Sequence, residues 1–243
     1  MLDIHCHICY GSDDGAENLE TAVEMVKIAY DRGVSGIAAT PHSNVPGSYA
    51  NYWNEDLHGR IRQLREELRR REIPVEIYTG QEIFCTNQTV RRLKTGELIT
   101  LNHSRYPLVE FDFYEYSESV YTKLRALTAE GYVPVVAHPE RYAFVAEEED
   151  AVVRLKGIGC LLQINKGSPE GRFGRSAFFL SRRMLELRQA DVIASDAHSP
   201  YMRTPDMQST HELVCEEYSY EYADLLLEEN PLRIIQDREI TGF

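Results

Sequence analysis

The sequence has little positive charge and no long apolar run. Its 26 lysines and arginines are outnumbered by 39 aspartates and glutamates, which leaves a formal net charge of −13. An excess of this sign repels phosphate backbones, so we expect no nucleic-acid partner. No window approaches the roughly 20 apolar residues of a membrane span, and the first apolar run, which carries Asp3, His5 and His7, is unlike a signal peptide. These absences predict a cytoplasmic protein that does not insert into membranes.

Cysteine is also scarce, and no stretch rich in proline, glycine or serine divides the chain. The five cysteines are Cys6, Cys9, Cys85, Cys160 and Cys215. Because they are scattered and odd in number, we expect reduced thiols. A chain of 243 residues with 43% hydrophobic residues can bury one sizeable core. The sequence therefore predicts a single domain over residues 1–243.

Short apolar runs alternate with longer amphipathic segments along the whole chain. This alternation predicts an α/β fold in which helical crossovers join parallel strands. The predicted strands span residues 2–8, 35–39, 75–79, 107–111, 133–137, 160–164 and 192–195. The predicted helices span residues 17–31, 56–71, 87–94, 119–130, 147–156, 176–188 and 207–229.

Nearly every predicted strand ends in, or just before, a residue that can bind a metal ion. The first strand carries His5 and His7, whose side chains point to the same face because they are two residues apart, while Cys6 points away and is expected to be buried. The later strand ends contribute His42, Glu82, Glu110, His138, Asp196 and His198. In a β/α barrel all these ends open onto one face, so the sequence predicts one shared metal site.

Histidine and carboxylate side chains without a thiolate pattern favour Zn²⁺, Mn²⁺ or Fe²⁺ over Ca²⁺. Five of the eight histidines take part in this pattern. The other three, His58, His103 and His211, lie in predicted helices or a loop and are expected to have ordinary surface roles. The predicted chemistry is therefore that of a Lewis acid.

Seven short motifs, in this order along the chain, resemble the PHP (polymerase and histidinol phosphatase) superfamily. They are His5-Cys6-His7, Asp13-Asp14-Gly15, Ala39-Thr40-Pro41-His42, Gly80-Gln81-Glu82, Val109-Glu110-Phe111, His138-Pro139-Glu140-Arg141-Tyr142 and Ser195-Asp196-Ala197-His198. Within that superfamily the chain is most similar to the bacterial manganese-dependent tyrosine-protein phosphatases of capsule and exopolysaccharide loci. The resemblance spans almost the whole chain, and the combination of motifs is far more specific than any single one.

The resemblance implies a distorted (β/α)7 barrel with two to three divalent cations, of which Mn²⁺ is expected first and Fe²⁺, Zn²⁺ or Mg²⁺ are alternatives. The implied ligands are His5, His7, Glu82 and Asp196 for one cation, Glu82, Glu110 and His138 for a second, and Asp14, His42 and His198 for a third. Asp13 is the alternative to Asp14, because the two carboxylates are adjacent and the sequence does not distinguish them.

Two arginines, Arg141 and Arg203, are expected to bind the phosphate, because a guanidinium fork matches phosphate oxygens and stays charged. With His138 they form the predicted catalytic set. Polar residues near the end of the sixth predicted strand are further candidates for the mouth of the site: Gln163, Asn165 and Ser168. The loop over residues 166–174 departs from the family pattern, so the resemblance does not define the details of the substrate pocket.

The function implied is hydrolysis of phosphotyrosine on a bacterial tyrosine autokinase that controls polysaccharide export. The cations would polarise the phosphoryl group and acidify an attacking water, so neither a phosphoenzyme nor a nucleophilic cysteine is expected. One alternative is a small-molecule phosphatase such as histidinol-phosphatase, since the spacing of the motifs does not define the substrate. The other is a catalytically silent metal-binding PHP scaffold.

Overall fold

The computed structural model describes residues 1–242, in which every pair of neighbouring strands is parallel. The strands are β1 (Leu2–Cys6), β2 (Gly36–Ala39), β3 (His42–Ser43), β4 (Glu76–Thr79), β5 (Glu82–Phe84), β6 (Leu108–Glu110), β7 (Val135–Ala137), β8 (Leu161–Asn165) and β9 (Val192–Ala194). All seven predicted strand positions are confirmed. The two additional strands, β3 and β5, resume β2 and β4 after a short interruption.

The interruptions place two predicted ligands at the start of new strand segments. Pro41 lies between β2 and β3, and it cannot donate a backbone hydrogen bond to the ladder. Its carbonyl instead accepts a hydrogen bond from the backbone N–H of Glu82 at 3.2 Å. His42 and Glu82 then pair in register at the start of β3 and β5. The breaks therefore set the positions of both side chains.

The strands form a distorted barrel that brings the first strand beside the last. One sheet has the order β1-β2-β4 and the other β3-β5-β6-β7-β8-β9. The backbone N–H of Asp196, just after β9, donates to the carbonyl of His5 at 2.8 Å, and the N–H of His7 donates to the carbonyl of Ala197 at 2.9 Å. The first strand and the segment after the last strand thus meet at the predicted site.

Helices cover the outside of these strands. They are α1 (Leu19–Asp31), α2 (Glu55–Arg70), α3 (Thr89–Lys94), α4 (Ser117–Ala129), α5 (Ala143–Glu147), α6 (Ala151–Ile158), α7 (Gly174–Glu186), α8 (Gln208–Glu217), α9 (Tyr220–Asp224) and α10 (Asn230–Ile235). The helical tail predicted over 207–229 is helical for most of its length, but it is divided into separate helices. Ser219 is extended and caps α9 by accepting from the N–H of Tyr222, and a π-helical turn, Leu225–Glu229, leads into α10.

Alternate strand residues pack into two different apolar clusters. Val136 and Ile193 belong to the larger cluster with the crossover helices, whereas Val135 and Ala194 belong to a smaller one on the opposite face of the strands. Cys6 lies in the helix-facing cluster, as its position between two histidines predicted. Among the described residues, no helix combines the length and the apolar character needed to cross a membrane.

Candidate metal centre

All nine predicted ligands lie close together. Their nitrogen and oxygen atoms fall into three groups, and within each group every donor atom lies within 4.8 Å of the others. The groups are His5, His7, Glu82 and Asp196; His42, Glu82 and Glu110; and His7, Asp14, His42 and His198. His138 belongs to none of these groups, but its Nε2 lies 2.9 Å from Glu82 Oε1 and so next to the second group.

The first group is fully buried, and its donors face one another. His5 Nε2 lies 3.2 Å from His7 Nε2, and Glu82 Oε2 lies 3.1 Å from the former and 3.3 Å from the latter. Asp196 Oδ1 is 3.5 Å from both nitrogens. Ligands of one cation stand about 3 to 3.5 Å apart when each bond is about 2.0–2.2 Å long. Glu82 Oε2 makes no hydrogen bond within the described residues, so these donors fit a divalent cation.

The second group centres on His42, which the resemblance had assigned only to the third cation. Its Nδ1 lies 2.9 Å from Glu110 Oε1 and 3.0 Å from Glu82 Oε2. Its Nε2 lies 3.6 Å from Asp14 Oδ1. The two ring nitrogens of His42 therefore face different carboxylates, and this residue connects the second group to the third.

The two adjacent aspartates have different environments. Asp14 Oδ1 lies 3.6 Å from His198 Nε2, and the Asp14 side chain is 53% exposed, so its oxygens are available to a cation. Asp13 has a fully buried side chain whose Oδ2 lies 2.7 Å from His7 Nδ1 and accepts from the backbone N–H of His42 at 2.9 Å. Asp13 thus orients a histidine, and this geometry favours Asp14 as the ligand.

Buried amides hold two further ligands in place. His5 Nδ1 lies 2.8 Å from Gln163 Oε1, which leaves His5 Nε2 directed at the first group. Gln163 Nε2 donates to Asn165 Oδ1 at 2.9 Å, and Asn165 Nδ2 donates to Asp196 Oδ2 at 2.5 Å. Both amides were expected at the mouth of the site. They lie instead beneath it and bond directly to predicted ligands.

Three residues of the site hold a backbone conformation that costs energy. His138, Asp196 and Arg203 have φ angles of 37°, 50° and 51°, in the left-handed region that side chains other than glycine seldom adopt. Such a conformation costs about 1–3 kcal/mol per residue and persists only where surrounding contacts fix it. Seven other non-glycine residues within residues 1–242 share this conformation, so it is not confined to the site.

The charges of the buried groups are strongly coupled. Burial opposes ionisation of Glu82, but His5 and His42 nevertheless hold its pKa well below the usual range. Burial likewise opposes protonation of His42, but Glu82 and Glu110 raise its pKa to about 10. Burial and the neighbouring His7 lower the pKa of His198 to about 2. Without a cation, these pKa shifts would keep a proton on His42 and none on the ring of His198 beyond its neutral form at neutral pH.

A prediction about pH follows from this charge pattern. A cation can bind His42 only after displacing its proton, so metal affinity should rise with pH, by about tenfold per pH unit for each proton displaced. Because the pKa of His42 is raised, this increase should continue through neutral pH. Calorimetric titration in buffers of different ionisation enthalpy counts the protons released. An affinity that stays constant between about pH 6 and about pH 8 would contradict this coupling.

The two predicted phosphate-binding arginines converge on Asp196. Arg203 Nη2 lies 2.5 Å and Arg141 Nη1 lies 3.5 Å from its carboxylate. The Arg141 guanidinium also stacks between the rings of Phe113 and Phe173, at 4.6 and 4.8 Å from their centroids. Both arginines thus border the first group of donors, and aromatic contacts help to fix the orientation of Arg141.

An aromatic cavity of about 320 Å³ adjoins Arg141. Its walls include Phe113, Tyr114 and Phe173. Sequence reasoning missed these aromatic residues, because they come from loops after different strands. The only signals were the position of Phe113 two residues after a strand-end motif and the glycines that flank Phe173 in the loop over 166–174.

A cysteine-based mechanism has no support in this geometry. Cys85 and Arg91 have the spacing found in phosphate-cradling loops of cysteine phosphatases, but burial raises the pKa of Cys85 to about 12. Arg91 Nη1 pairs with Glu97 at 2.8 Å on an exposed surface. All five cysteines are free thiols, which agrees with the expectation of reduced cysteines.

Comparison with known proteins identifies the family. A family model described as "Capsular polysaccharide synthesis, CpsB/CapC" matches residues 1–236. The chain belongs to the CpsB/CapC family. It is 34% identical over 258 residues to the tyrosine-protein phosphatase YwqE of Bacillus subtilis, covering 100% of both chains. It is 33% identical over 245 residues to the tyrosine-protein phosphatase CpsB of Streptococcus pneumoniae, covering 99% of this family member and 100% of CpsB.

Solved structures agree with this assignment. A crystal structure from work on YwqE and CpsB, described there as metal-dependent tyrosine phosphatases, matches this CpsB/CapC protein with a TM-score of 0.93 and 31% identity, over 100% of this chain and 97% of the other. A histidinol phosphate phosphatase from Lactococcus lactis matches with a TM-score of 0.57 and 15% identity, over 93% and 94% of the chains, which shows a likeness of fold alone. The family resemblance and the barrel fold inferred from the sequence are confirmed.

Proposed function

We propose that this CpsB/CapC protein is a metal-dependent phosphatase that hydrolyses phosphotyrosine in proteins. The main observation that supports this proposal is the convergence of three groups of histidine and carboxylate donors with two arginines on one face of the barrel. The curated relatives that match the full chain are tyrosine-protein phosphatases, which supports the same activity. The whole chain would form one metallophosphatase domain acting in the cytoplasm.

The metal centre would hold three divalent cations. His5, His7, Glu82 and Asp196 would bind the first, Glu82, Glu110 and His138 the second, and Asp14, His42 and His198 the third. His42 also faces Glu82 and Glu110, so it is placed to contribute to the second site. Mn²⁺ is the proposed metal, with Fe²⁺, Zn²⁺ and Mg²⁺ as alternatives, because imidazole and carboxylate ligands without thiolate suit these ions.

The protein's own groups would bind and orient the phosphate. Cations in the centre would supply Lewis-acid polarisation of the phosphoryl oxygens and would acidify a water for in-line attack on phosphorus. Arg141 and Arg203 would bind the remaining phosphoryl oxygens and neutralise charge that develops in the transition state. The contacts of Arg141 with Phe113 and Phe173 would hold its guanidinium ready for this role.

The aromatic cavity supports a phosphotyrosine ester over an aliphatic one. Its aromatic walls lie beside Arg141, where the ring of a bound phosphotyrosine would emerge from the metal centre. Aromatic side chains prefer offset or edge-to-face contacts with another ring, which would stabilise that part of the substrate. The proposed protein substrate is a bacterial tyrosine autokinase, as the resemblance of the sequence motifs implies, and the family's description by capsular polysaccharide synthesis supports a substrate from that process.

Phosphate release from two substrates tests this proposal. We expect rapid release from a phosphotyrosine peptide with added Mn²⁺, little release from histidinol phosphate, and loss of activity after chelation. Preference for histidinol phosphate would instead indicate a small-molecule phosphatase. Failure of the fully metallated protein to hydrolyse either compound would indicate a metal-binding scaffold, and activity that survives complete removal of metal would contradict the mechanism.

A further inference from the structure

A second cavity, of about 280 Å³, lies on the other side of Phe173 from the aromatic cavity. Two loops form it, one after β8 and one after β9. Its lining residues are Lys166, Gly167, Arg172, Phe173, Ser195, Tyr201, Met202, Arg203 and Thr204. Three of these side chains are cationic and none is acidic, so we call it the basic cavity. Two of the three cations already contact a carboxylate just outside this lining, Arg172 that of Glu170 and Arg203 that of Asp196.

Lys166 is the most informative of these residues, because it is only 4% exposed. Its Nζ donates to the backbone carbonyl of Asp206 at 2.5 Å, which satisfies one of its three N–H groups. Within residues 1–242 no carboxylate oxygen is paired with this ammonium group. Lysine is rarely buried without a partner, because desolvation penalises its charge. An anion in the basic cavity would provide the negative charge that the carbonyl of Asp206 does not.

The other two cations differ in how far they are already paired. Arg172 Nε donates to Glu170 Oε2 at 2.7 Å, but the arginine side chain is 59% exposed and can turn towards a ligand. Arg203 contacts Asp196 through Nη2, while its buried Nε has no hydrogen-bond partner among the described residues. Arg172 and Arg203 therefore both have N–H groups that can bind a ligand in the basic cavity.

The basic cavity adjoins the metal centre without sharing a cation ligand with it. Ser195 in its lining directly precedes Asp196, and Arg203 contacts both regions. Because Arg203 borders both regions, a peptide that places its phosphate at Arg203 would have flanking side chains within reach of the basic cavity.

We propose that the basic cavity binds an aspartate or glutamate side chain close to the phosphotyrosine in the substrate. This inference rests on the proposed function. A carboxylate matches the ammonium of Lys166, which has no carboxylate partner among the described residues, and the guanidinium of Arg172, and it would pair with them by charge-assisted hydrogen bonds. The basic cavity selects acidic flanks locally, although the net charge of the protein repels acidic peptides in general.

The test compares two phosphotyrosine peptides that differ only in whether the flanking residues are glutamate or glutamine. We expect kcat/KM to be about tenfold higher for the glutamate peptide, mostly through KM, and the preference to shrink as salt is added. Lys166→Met keeps the length of the buried side chain, and Arg172→Ala changes an exposed residue. Both should reduce the preference to about twofold or less, while turnover of p-nitrophenyl phosphate, which has no flank, stays unchanged.

Arg175→Ala is the matched control, because it removes the same charge from an exposed residue of α7 that does not line the basic cavity. It should retain the preference.

Affinities of non-hydrolysable phosphonate versions of both peptides give the same comparison without turnover. Equal affinities in the wild-type protein would overturn the inference, even if both peptides are hydrolysed. A second result would also overturn it: the wild-type protein shows no peptide preference, and inorganic phosphate inhibits Lys166→Met less than it inhibits the wild-type protein. That result would indicate a site for free phosphate. If neither peptide is hydrolysed but the phosphonate versions still differ in affinity, the result would count against the proposed function and not against this inference.

Discussion

Replacing Glu82 with glutamine should abolish phosphatase activity. Glu82 is fully buried, and its two oxygens face His5, His7 and His42 on one side and His138 on the other. The amide keeps the shape of the side chain but loses the negative charge that two cations would share. Since bound cations contribute several kcal/mol of transition-state stabilisation, we expect kcat/KM to fall by about a thousandfold or more. Bound metal, measured on the purified variant by mass spectrometry, should fall by at least one ion per chain in the same sample.

Glu76→Gln provides the matched control for this substitution. Glu76 allows the same replacement of a carboxylate by an amide. It lies on the preceding strand segment, β4, but its side chain is exposed and lies outside the three donor groups. Its activity and metal content should stay at the wild-type level. A Glu82→Gln protein that keeps full activity, or that loses activity with unchanged metal content, would exclude Glu82 as a shared ligand.

Gly15→Ala should damage the metal centre although glycine itself has no donor group. A Cβ at this position would lie 2.2 Å from the carbonyl oxygen of His7 and 2.4 Å from the His7 Cβ, so one of the two backbones must move. Overpacking of this kind costs about 1–3 kcal/mol of unfolding free energy. Displacement of a ligand by about 1 Å is expected to lower activity about a hundredfold. Denaturant unfolding and phosphate release measure the two effects.

Gly157→Ala is the control for this second substitution. Gly157 lies in α6, and an added Cβ would meet no atom within 4 Å. Alanine favours the helix, so the variant should be equally stable or up to about 1 kcal/mol more stable, with unchanged activity. If Gly15→Ala behaved in the same way, the close approach of Gly15 to His7 would have no part in positioning the ligand.

The strand pattern could be predicted because each strand is a short apolar run between polar segments. The breaks after β2 and β4 were missed, since only three-dimensional pairing shows that the chain resumes the barrel at His42 and Glu82. The five-residue helix α5 was missed because it is too short for helical periodicity to appear. The last helical region was predicted too simply, because Ser219 could have been read as a cap that starts a new helix.

The closeness of the proposed ligands could be predicted from the sequence, because the strand ends of a barrel share one face. The different environments of Asp13 and Asp14 were not, because they depend on how the loop after β1 folds around His7. The same holds for Lys166, whose burial results from the contact between two loops that are distant in sequence. Sequence patterns thus indicate which residues share the site, whereas packing decides which of them face the cation and which orient its ligands.

The pairing of the first strand with the segment after the last one has a consequence for biosynthesis. His5 and His7 leave the ribosome early, but their partners Asp196 and His198 follow only near the end of translation. A nascent chain therefore cannot complete the first group of donors, so a cation proposed for that group would bind only after almost the entire barrel has been synthesised. Metal content would then report correct folding of the full-length chain, and a product truncated before β9 should fail to acquire a stable centre.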